Sequence, residues 1–396
     1  MMHVRPAWLE IDLTAIADNI ERVLSVLGNQ RKLIAVVKDD AYGHGATIIG
    51  QIAEQCGAHM MAVSLIEEAI ELQPACPQTD ILILGLVPLD AVPAAIEHGF
   101  HMPLDSADRA QAISQAAFEQ GVAANVHLKI DSGMHRIGVP ADEAGQLCRA
   151  VKDLPNLDIR GIFTHFASAP DDPLFTTQQF ERFQQACREA ESVLDGRVLL
   201  KHCANGAAAV RYPEMWLDAV RPGALLYGIP RNRGGQYLPT MDQALSMKAM
   251  IAAIRTLAEG EKLGYGRTWQ AQRDSRIAQV PLGYGDGYDR HLSNKGELLL
   301  RGRRVPVVGT VCMDSTFIDV TDIPDAKVGE EVVLVGSQGD ESVTIAEIAE
   351  RCGTVVQEVP VRMNVRLPRI YTCQPGDERV AHLADRYRSA TSDVPA

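Results

Sequence analysis

Aromatic side chains are scarce in this 396-residue chain, at 5%, and no two cysteines fall in a C-x-x-C pair. The cysteines (Cys56, Cys76, Cys148, Cys187, Cys203, Cys312, Cys352 and Cys373) are scattered instead. That pattern excludes a disulfide scaffold and metal-ligand spacing. No apolar run is long enough to span a bilayer, and residues 1–12 hold no stretch of signal-peptide length. Positive charge is also short: 38 Lys and Arg face 51 Asp and Glu, for a formal net charge of -13. Nucleic acid and anionic membranes are poor partners for such a surface. A cytoplasmic, soluble protein without a metal is therefore expected. What the chain does have is a hydrophobic share of 46%, enough for a sizeable core in one large or two moderate domains.

Short apolar runs alternate with amphipathic stretches in the first half. The strand-like runs are 33–38, 60–64, 80–85, 101–105, 125–131, 159–166, 198–205 and 219–228, with helix-like stretches such as 46–57, 107–121, 141–154 and 176–194 between them. Apolar strands separated by helices predict a parallel sheet covered on its faces. Eight repeats over roughly 200 residues fit a (β/α)8 barrel; a doubly wound sheet is the competing arrangement. Pro103 interrupts the fourth run. Residues 231–240 read as a junction. Beyond it, 249–257, 275–282, 297–300, 304–311, 316–320 and 331–335 read as strands, punctuated by Gly302, Gly309 and Gly329. The expected fold is α/β: a TIM-like (β/α)8 barrel over 1–240, then a mainly β C-terminal domain over 241–396. The first few residues are free to pack on the β domain, which should end near Tyr371 with a mobile polar tail.

Barrel active sites sit where strands end, and those ends are rich in cations and imidazoles. Lys38 closes the first strand, Lys129 and Asp131 the fifth with Arg136 just beyond, His165 the sixth, and His202 and Asn205 the seventh; Arg221 lies in the eighth. Such a mouth in an acidic protein implies an anionic ligand. Position alone leaves Lys38 between a structural ion pair and the amine of a Schiff base. The Ala41-Tyr-Gly-His-Gly45 that follows tips the balance, because two glycines let backbone approach a ligand and the Tyr42 hydroxyl can reach a phosphate oxygen. Asn205-Gly206-Ala207 opens a helix and Arg221-Pro-Gly-Ala224 follows, where this fold commonly holds phosphate. In the second domain, Gly283-Tyr-Gly-Asp-Gly-Tyr288 in isolation reads as a turn. His3, His59, His98, His101, His127 and His291 read as surface or packed residues, and His44 as support for its loop. Cys203 and Cys312 lack a local base motif, so thiol catalysis is not expected.

Together these segments resemble the alanine racemases, pyridoxal-phosphate enzymes of fold type III, from Arg5-Pro-Ala-Trp-Leu-Glu-Ile-Asp12 to Leu367-Pro-Arg-Ile-Tyr371. The most specific matches are Val37-Lys38 with Ala41-Tyr-Gly-His-Gly45, Asp131-Ser-Gly-Met-His-Arg-Ile-Gly138, Gly283-Tyr-Gly-Asp-Gly-Tyr288 and Cys312-Met-Asp314. The resemblance implies that Lys38 carries pyridoxal 5'-phosphate as a Schiff base and acts as base on one face of the substrate. Tyr284, from a partner subunit of a homodimer, would act on the other face. Arg221 would meet the pyridine nitrogen, with His165 against the ring and linked towards Arg221. Tyr42, Asn205, Gly206, Gly223 and Ala224 would hold the phosphate side of the cofactor, and Arg136 and Met313 the substrate carboxylate. In some relatives the residue matching Lys129 is carbamylated and orients Arg136. A role in supplying D-alanine to peptidoglycan precursors also follows from the resemblance.

Three departures bear on these expectations. Asp39 replaces the usual small residue after the lysine and is expected to face away from it. Gly206 stands where a serine often touches phosphate. Val365 stands where a tyrosine commonly bonds the phosphate and limits the side-chain pocket; this implies weaker cofactor retention and tolerance of larger substrates such as serine. A fold-type III decarboxylase would normally carry a Gly-rich phosphate loop and an acidic partner for the pyridine nitrogen. A non-catalytic pyridoxal-phosphate-binding protein would lack the second domain. The Gly283–Tyr288 motif and Arg221 argue against both.

Overall fold

The structure, a computed structural model, describes residues 6–197, 199–229, 240–363 and 366–390. The junction expected at 231–240 and the Val365 position fall outside them, apart from Thr240. The chain divides into two units, one built from residues 17–226 and 240–241 and the other from 6–16, 227–229 and 242–390.

The first unit is a parallel barrel. Its strands are β1 (Lys32–Val36), β2 (Met60–Val63), β3 (Asp80–Ile83), β4 (Met102–Leu104), β5 (Ala124–Asp131), β6 (Leu157–Phe163), β7 (Leu200–His202) and β8 (Ala219–Val220). Two parallel runs, β8-β1-β2-β3 and β4-β5-β6-β7, are joined by the bridges Leu82↔His101 and Asn205↔Arg221. The ring therefore closes, and the doubly wound alternative, which leaves two open edges, is excluded. Pro103 has no amide hydrogen to give, which suits the three-residue length of β4 and a seam with β3 made by a single bridge. Ile34, Val36, Met60, Ala62, Leu82 and Ala219 form one buried cluster. Of these, Ile34, Val36, Met60 and Leu82 each contribute about 1.5–3 kcal/mol by leaving water.

Helix ends follow local chemistry. Ala107–Gln120 starts where the Ser106 side chain accepts from the Arg109 amide and stops at Gly121 in the left-handed region. Pro173–Val193 begins three residues before the apolar pattern suggests, because Asp172 caps it and Pro173 fits its first turn. The eighth strand is far shorter than 219–228: Pro222 cannot extend the ladder, and a 3-10 turn follows at Ala224–Tyr227.

In the second unit the main sheet orders Arg303–Pro306, Glu297–Leu300, Glu331–Gln338, Leu245–Met250, Ala7–Asp12 and Arg369–Thr372, with Glu341–Val343 pairing on Glu331–Gln338. A second sheet joins Ala253–Leu257, Ser275–Val280 and Thr316–Asp319. The single run expected at 249–257 thus splits at residues 251–252, where the chain passes from one sheet to the other. The polar tail expected beyond Tyr371 carries a helix, Glu378–Ala390. Its Val380, Leu383 and Ala384, spaced along one face, are buried.

Candidate functional site

Lys38 stands where β1 ends, at the start of a short left-handed turn. Asp39, Asp40, Ala41 and Tyr42 all have φ of 52–54°, a conformation costing roughly 1–2 kcal/mol per non-glycine residue. The turn persists because its surroundings over-determine it. Ala41 N–H donates to Val37 O at 2.9 Å, Gly43 N–H to Asp39 O at 3.0 Å and Gly45 N–H to Asp40 O at 2.9 Å. The Asp40 carboxylate accepts from Ala46 N at 2.8 Å. His44, buried, contacts the Ala41 and Tyr42 carbonyls at 3.0 Å, the supporting role its sequence context indicated.

Asp39 does not face away. Its carboxylate lies 3.2 Å from Lys38 Nζ, with side-chain exposures of 45% and 35%. The left-handed φ folds Asp39 back along Lys38, and a charged amine accepts the pairing. An ion pair so exposed is worth only about 0–1 kcal/mol, so it releases Lys38 easily. Glu68 clamps the turn in a way the sequence did not reveal. One carboxylate oxygen accepts from Asp39 N at 2.6 Å, the other from Ser64 N at 2.7 Å and Leu65 N at 3.0 Å. Glu68→Ala is expected to lower unfolding stability by roughly 2–3 kcal/mol; an unchanged urea midpoint would count against the clamp.

The cations converge. His165 feels Arg221, Arg136, Lys129 and Lys38, and with burial as the larger cause they push its pKa down to about 3. It is therefore a neutral ring among positive groups. Arg221 is buried at 3% exposure. Its guanidinium donates to His202 Nδ1 at 2.9 Å, His202 O at 2.6 Å and Thr164 O at 2.6 Å. Among the described residues no hydrogen bond joins it to His165, so the expected link between them is one of charge. Burial lowers the Arg221 pKa only to about 10, leaving it cationic at neutral pH. Lys129 Nζ donates to Ile130 O at 2.9 Å and lies 5.3 Å from the centre of the Phe163 ring. Arg136 is exposed on the loop after β5. That loop is tied down by Asp131, whose carboxylate accepts from Gly133 N at 2.9 Å and His135 N at 3.0 Å. Against the cost of its burial, those donors hold the Asp131 pKa below the ordinary value.

A phosphate-sized cradle lies beside this cluster. A Cβ on Gly223 would sit 2.5 Å from the Tyr42 hydroxyl, so only glycine leaves room for Tyr42 against that backbone. Gly206 neighbours the same loop, its Cβ position 3.7 Å from Pro222 Cα and 3.9 Å from Gly223 N. Asn205 caps the helix Gly206–Arg211 by accepting from Ala208 N, and Ala224 follows Gly223 at the start of the 3-10 turn. Burial, then the Asp39 charge, pushes the Tyr42 pKa up to about 12, so its hydroxyl keeps its proton and can donate. A donor hydroxyl with backbone amides fits the phosphate of pyridoxal phosphate, and Lys38 supplies the amine it requires.

The other residues lie in the second unit. Tyr284 is 42% exposed and Met313 53%. The glycine turn carrying Tyr284 is stitched to the Met313 loop: Tyr284 N–H donates to Cys312 O at 3.0 Å and Gly285 N–H to Met313 O at 2.9 Å. Gly283 packs so tightly that a Cβ would meet Cys312 O at 2.1 Å. Arg366 braces both loops through Asp314 at 2.6 Å and Gly285 O at 3.3 Å. Tyr284 borders a concavity of about 420 Å³ that also touches Asp289, Arg290 and Arg362. Cys203 is buried, and burial raises its thiol pKa beyond the ordinary range; it stays an inert thiol.

Comparison with known proteins agrees with this arrangement. Residues 11–230 match the family described as alanine racemase, N-terminal domain, and residues 244–371 match alanine racemase, C-terminal domain. An alanine racemase of Desulforamulus reducens is 40% identical over 92% of this chain and 99% of its own. One of Halothermothrix orenii is 37% identical over 93% and 97%. The solved alanine racemase of Clostridium difficile superposes with a TM-score of 0.88 at 32% identity, covering 94% of this chain and 97% of that one. Barrel, cradle, Tyr284 turn and both matched regions lead to one assignment: the chain belongs to the alanine racemase family, whose members are pyridoxal-phosphate-dependent isomerases.

Proposed function

We propose that this protein interconverts L- and D-alanine, moving the α-proton between Lys38 on one face of the substrate and Tyr284 on the other. The observation that carries the reading is the gathering of Lys38, Lys129, Arg136 and Arg221 around His165 in a chain of net charge -13. Such a cluster suits a phosphorylated cofactor and a substrate carboxylate together. Bound there, pyridoxal phosphate would make the α C–H acidic by delocalising the electron pair left behind. Lys38 would hold the cofactor, and Tyr42, Asn205, Gly206, Gly223 and Ala224 its phosphate side. Arg221 would face the pyridine nitrogen and keep it unprotonated, His165 would lie against the ring, and Arg136 and Met313 would hold the substrate carboxylate. Two bases on opposite faces are what inversion requires.

Tyr284 would come from a second copy in a homodimer, a reading supported by the exposed Tyr284, Met313 and Tyr265 on the second unit. D-Alanine supply for peptidoglycan precursors in the cytoplasm is the matching role. No helix among the described residues is long and apolar enough to cross a membrane.

A serine or broad-specificity racemase is the second reading, and it rests on Val365 in the sequence. Purified enzyme given single-enantiomer amino acids and followed by chiral chromatography should racemise alanine fastest and serine measurably. Strict confinement to alanine would remove the broad reading. Failure on every amino acid tested would remove racemisation itself.

A further inference from the structure

Three histidines thread the barrel interior from Arg221 outward. His202 and His127 approach through Nε2 and Nδ1 at 2.9 Å, and His127 and His101 through Nε2 and Nδ1 at 3.0 Å. His101 Nε2 then lies 3.6 Å from the carboxylate of Asp80, which is 67% exposed. His127 and His202 are fully buried and His101 is 7% exposed.

The direction of this series is fixed at its inner end. A guanidinium only donates, so His202 Nδ1, 2.9 Å from Arg221, must accept. A neutral His202 then carries its proton on Nε2 and donates to His127 Nδ1. The same logic passes to His127 and on to His101, whose Nε2–H points toward Asp80. Protonating any ring would set N–H against N–H at one contact. Burial is the first cause that lowers the pKa of all three, and it works against that state. The charged groups facing the series are Asp80, His59, Arg160 and Asp158 at its outer end, with Lys129 and Arg221 at its inner end.

The barrel makes room for the series at a cost in regularity. His127 pairs with Gly161 across β5 and β6, and the register shifts just before it, between Val126 and His127. A Cβ on Gly161 would lie 2.4 Å from His127 Nδ1, so the ring occupies space that only glycine leaves. The His202 ring stacks on Phe163 with centroids 5.0 Å apart and planes 3° apart.

We infer that His101, His127 and His202 form a one-way chain of neutral Nε2–H tautomers that positions Arg221, anchored at the exposed Asp80. The chain is a clamp and not a proton wire, because Arg221 has no acceptor through which a proton could arrive. Its effect on catalysis rests on the reading of Arg221 given above; the tautomers do not.

The test uses full-length protein labelled with 15N-histidine, with and without pyridoxal phosphate, between pH 6 and 8. All three rings should show a bare Nδ1 and a slowly exchanging Nε2–H throughout. A protonated ring, or an Nδ1–H tautomer, overturns the chain. His127→Leu breaks it, whereas His127→Gln keeps an acceptor oxygen and a donor amide in series. The Leu variant leaves the His202 Nε2–H without its acceptor, so that proton should exchange faster and the His202 signals shift. The bound cofactor's absorbance should change, and kcat should fall roughly tenfold to a hundredfold with little change in KM. The Gln variant should restore most of this. Unchanged His202 signals and kcat in His127→Leu would refute the positioning role, and if that variant does not fold, the wild-type tautomers decide. An enzyme with intact tautomers that racemises nothing would contradict the proposed function alone.

Discussion

Tyr284→Phe should lose racemisation by roughly 10²–10⁴-fold, the range for removing a positioned acid–base group, while cofactor binding and fold persist. The turn that carries Tyr284 is held by its backbone, through Cys312 O at 3.0 Å and Met313 O at 2.9 Å, and by the Arg366–Asp314 pair. None of these contacts uses the phenolic oxygen, so its removal leaves the loop where it is. Lys38 remains able to exchange the α-proton on its own face. In D2O the variant should therefore still wash deuterium into one enantiomer, with retention, and fail on the other. Racemisation at the wild-type rate would remove Tyr284 from the reaction.

The same variant tests the homodimer. If each site takes its lysine from one copy and its tyrosine from the other, mixing Lys38→Ala with Tyr284→Phe puts both defects in one site of the mixed dimer. The second site is then intact. Two inactive proteins should regain activity on mixing. If both residues came from one copy, every site would keep a defect and mixing would restore nothing.

The barrel and the place of Lys38 at a strand end were legible because they are written in local signals: apolar runs of strand length, and a lysine followed by glycines at the end of one. The motifs around Tyr284 were legible for the same reason, since a tight turn needs glycine where backbone meets backbone, as Gly283 does against Cys312. Side-chain direction was not. The ion pair of Asp39 with Lys38 depends on a left-handed turn that no composition signal announces, because Asp39, Asp40, Ala41 and Tyr42 include no glycine. Glu68 clamps it from the first turn of the helix Ile66–Leu72, a contact visible only after folding.

His101 and His127 show a different limit. Read one at a time, each is an ordinary packed histidine. The missed signal was alternation: in β5, His127, Lys129 and Asp131 share one face while Val126, Leu128 and Ile130 share the other. A barrel strand with a polar inner face has to satisfy that polarity inside the barrel, and His202, Phe163 and Arg221 do so. Likewise, the helix at Glu378–Ala390 was read as tail because its buried stripe is three residues on a polar background.

Lys129→Met is expected to change the pH dependence of stability more than any other single substitution in the barrel. Lys129 is 2% exposed, and its pKa is lowered from 10.5 to about 7, first by burial and then by Arg221. The unfolded chain keeps the ordinary value, so between about pH 7 and 10.5 it binds a proton that the folded protein does not. Stability therefore rises with pH across that window. At about 1.4 kcal/mol per unit, the total is on the order of 5 kcal/mol. Below pH 7 the folded protein bears the burden of a buried cation, relieved in part by the Ile130 carbonyl, the Phe163 ring and the charges of Asp131 and Asp105. Methionine keeps most of the stem and removes the charge. Urea unfolding should find the variant more stable than wild type at pH 6, with the difference shrinking toward pH 10. Parallel curves would mean that Lys129 is not buried as a titrating amine. A pKa near neutrality also leaves much of the amine uncharged at pH 7, the form that can attack CO2, making an N–C bond and releasing a proton. With 13C-bicarbonate, a carbamate carbonyl signal present in wild type and absent from Lys129→Met would establish that modification; its absence from both would leave Lys129 a plain amine.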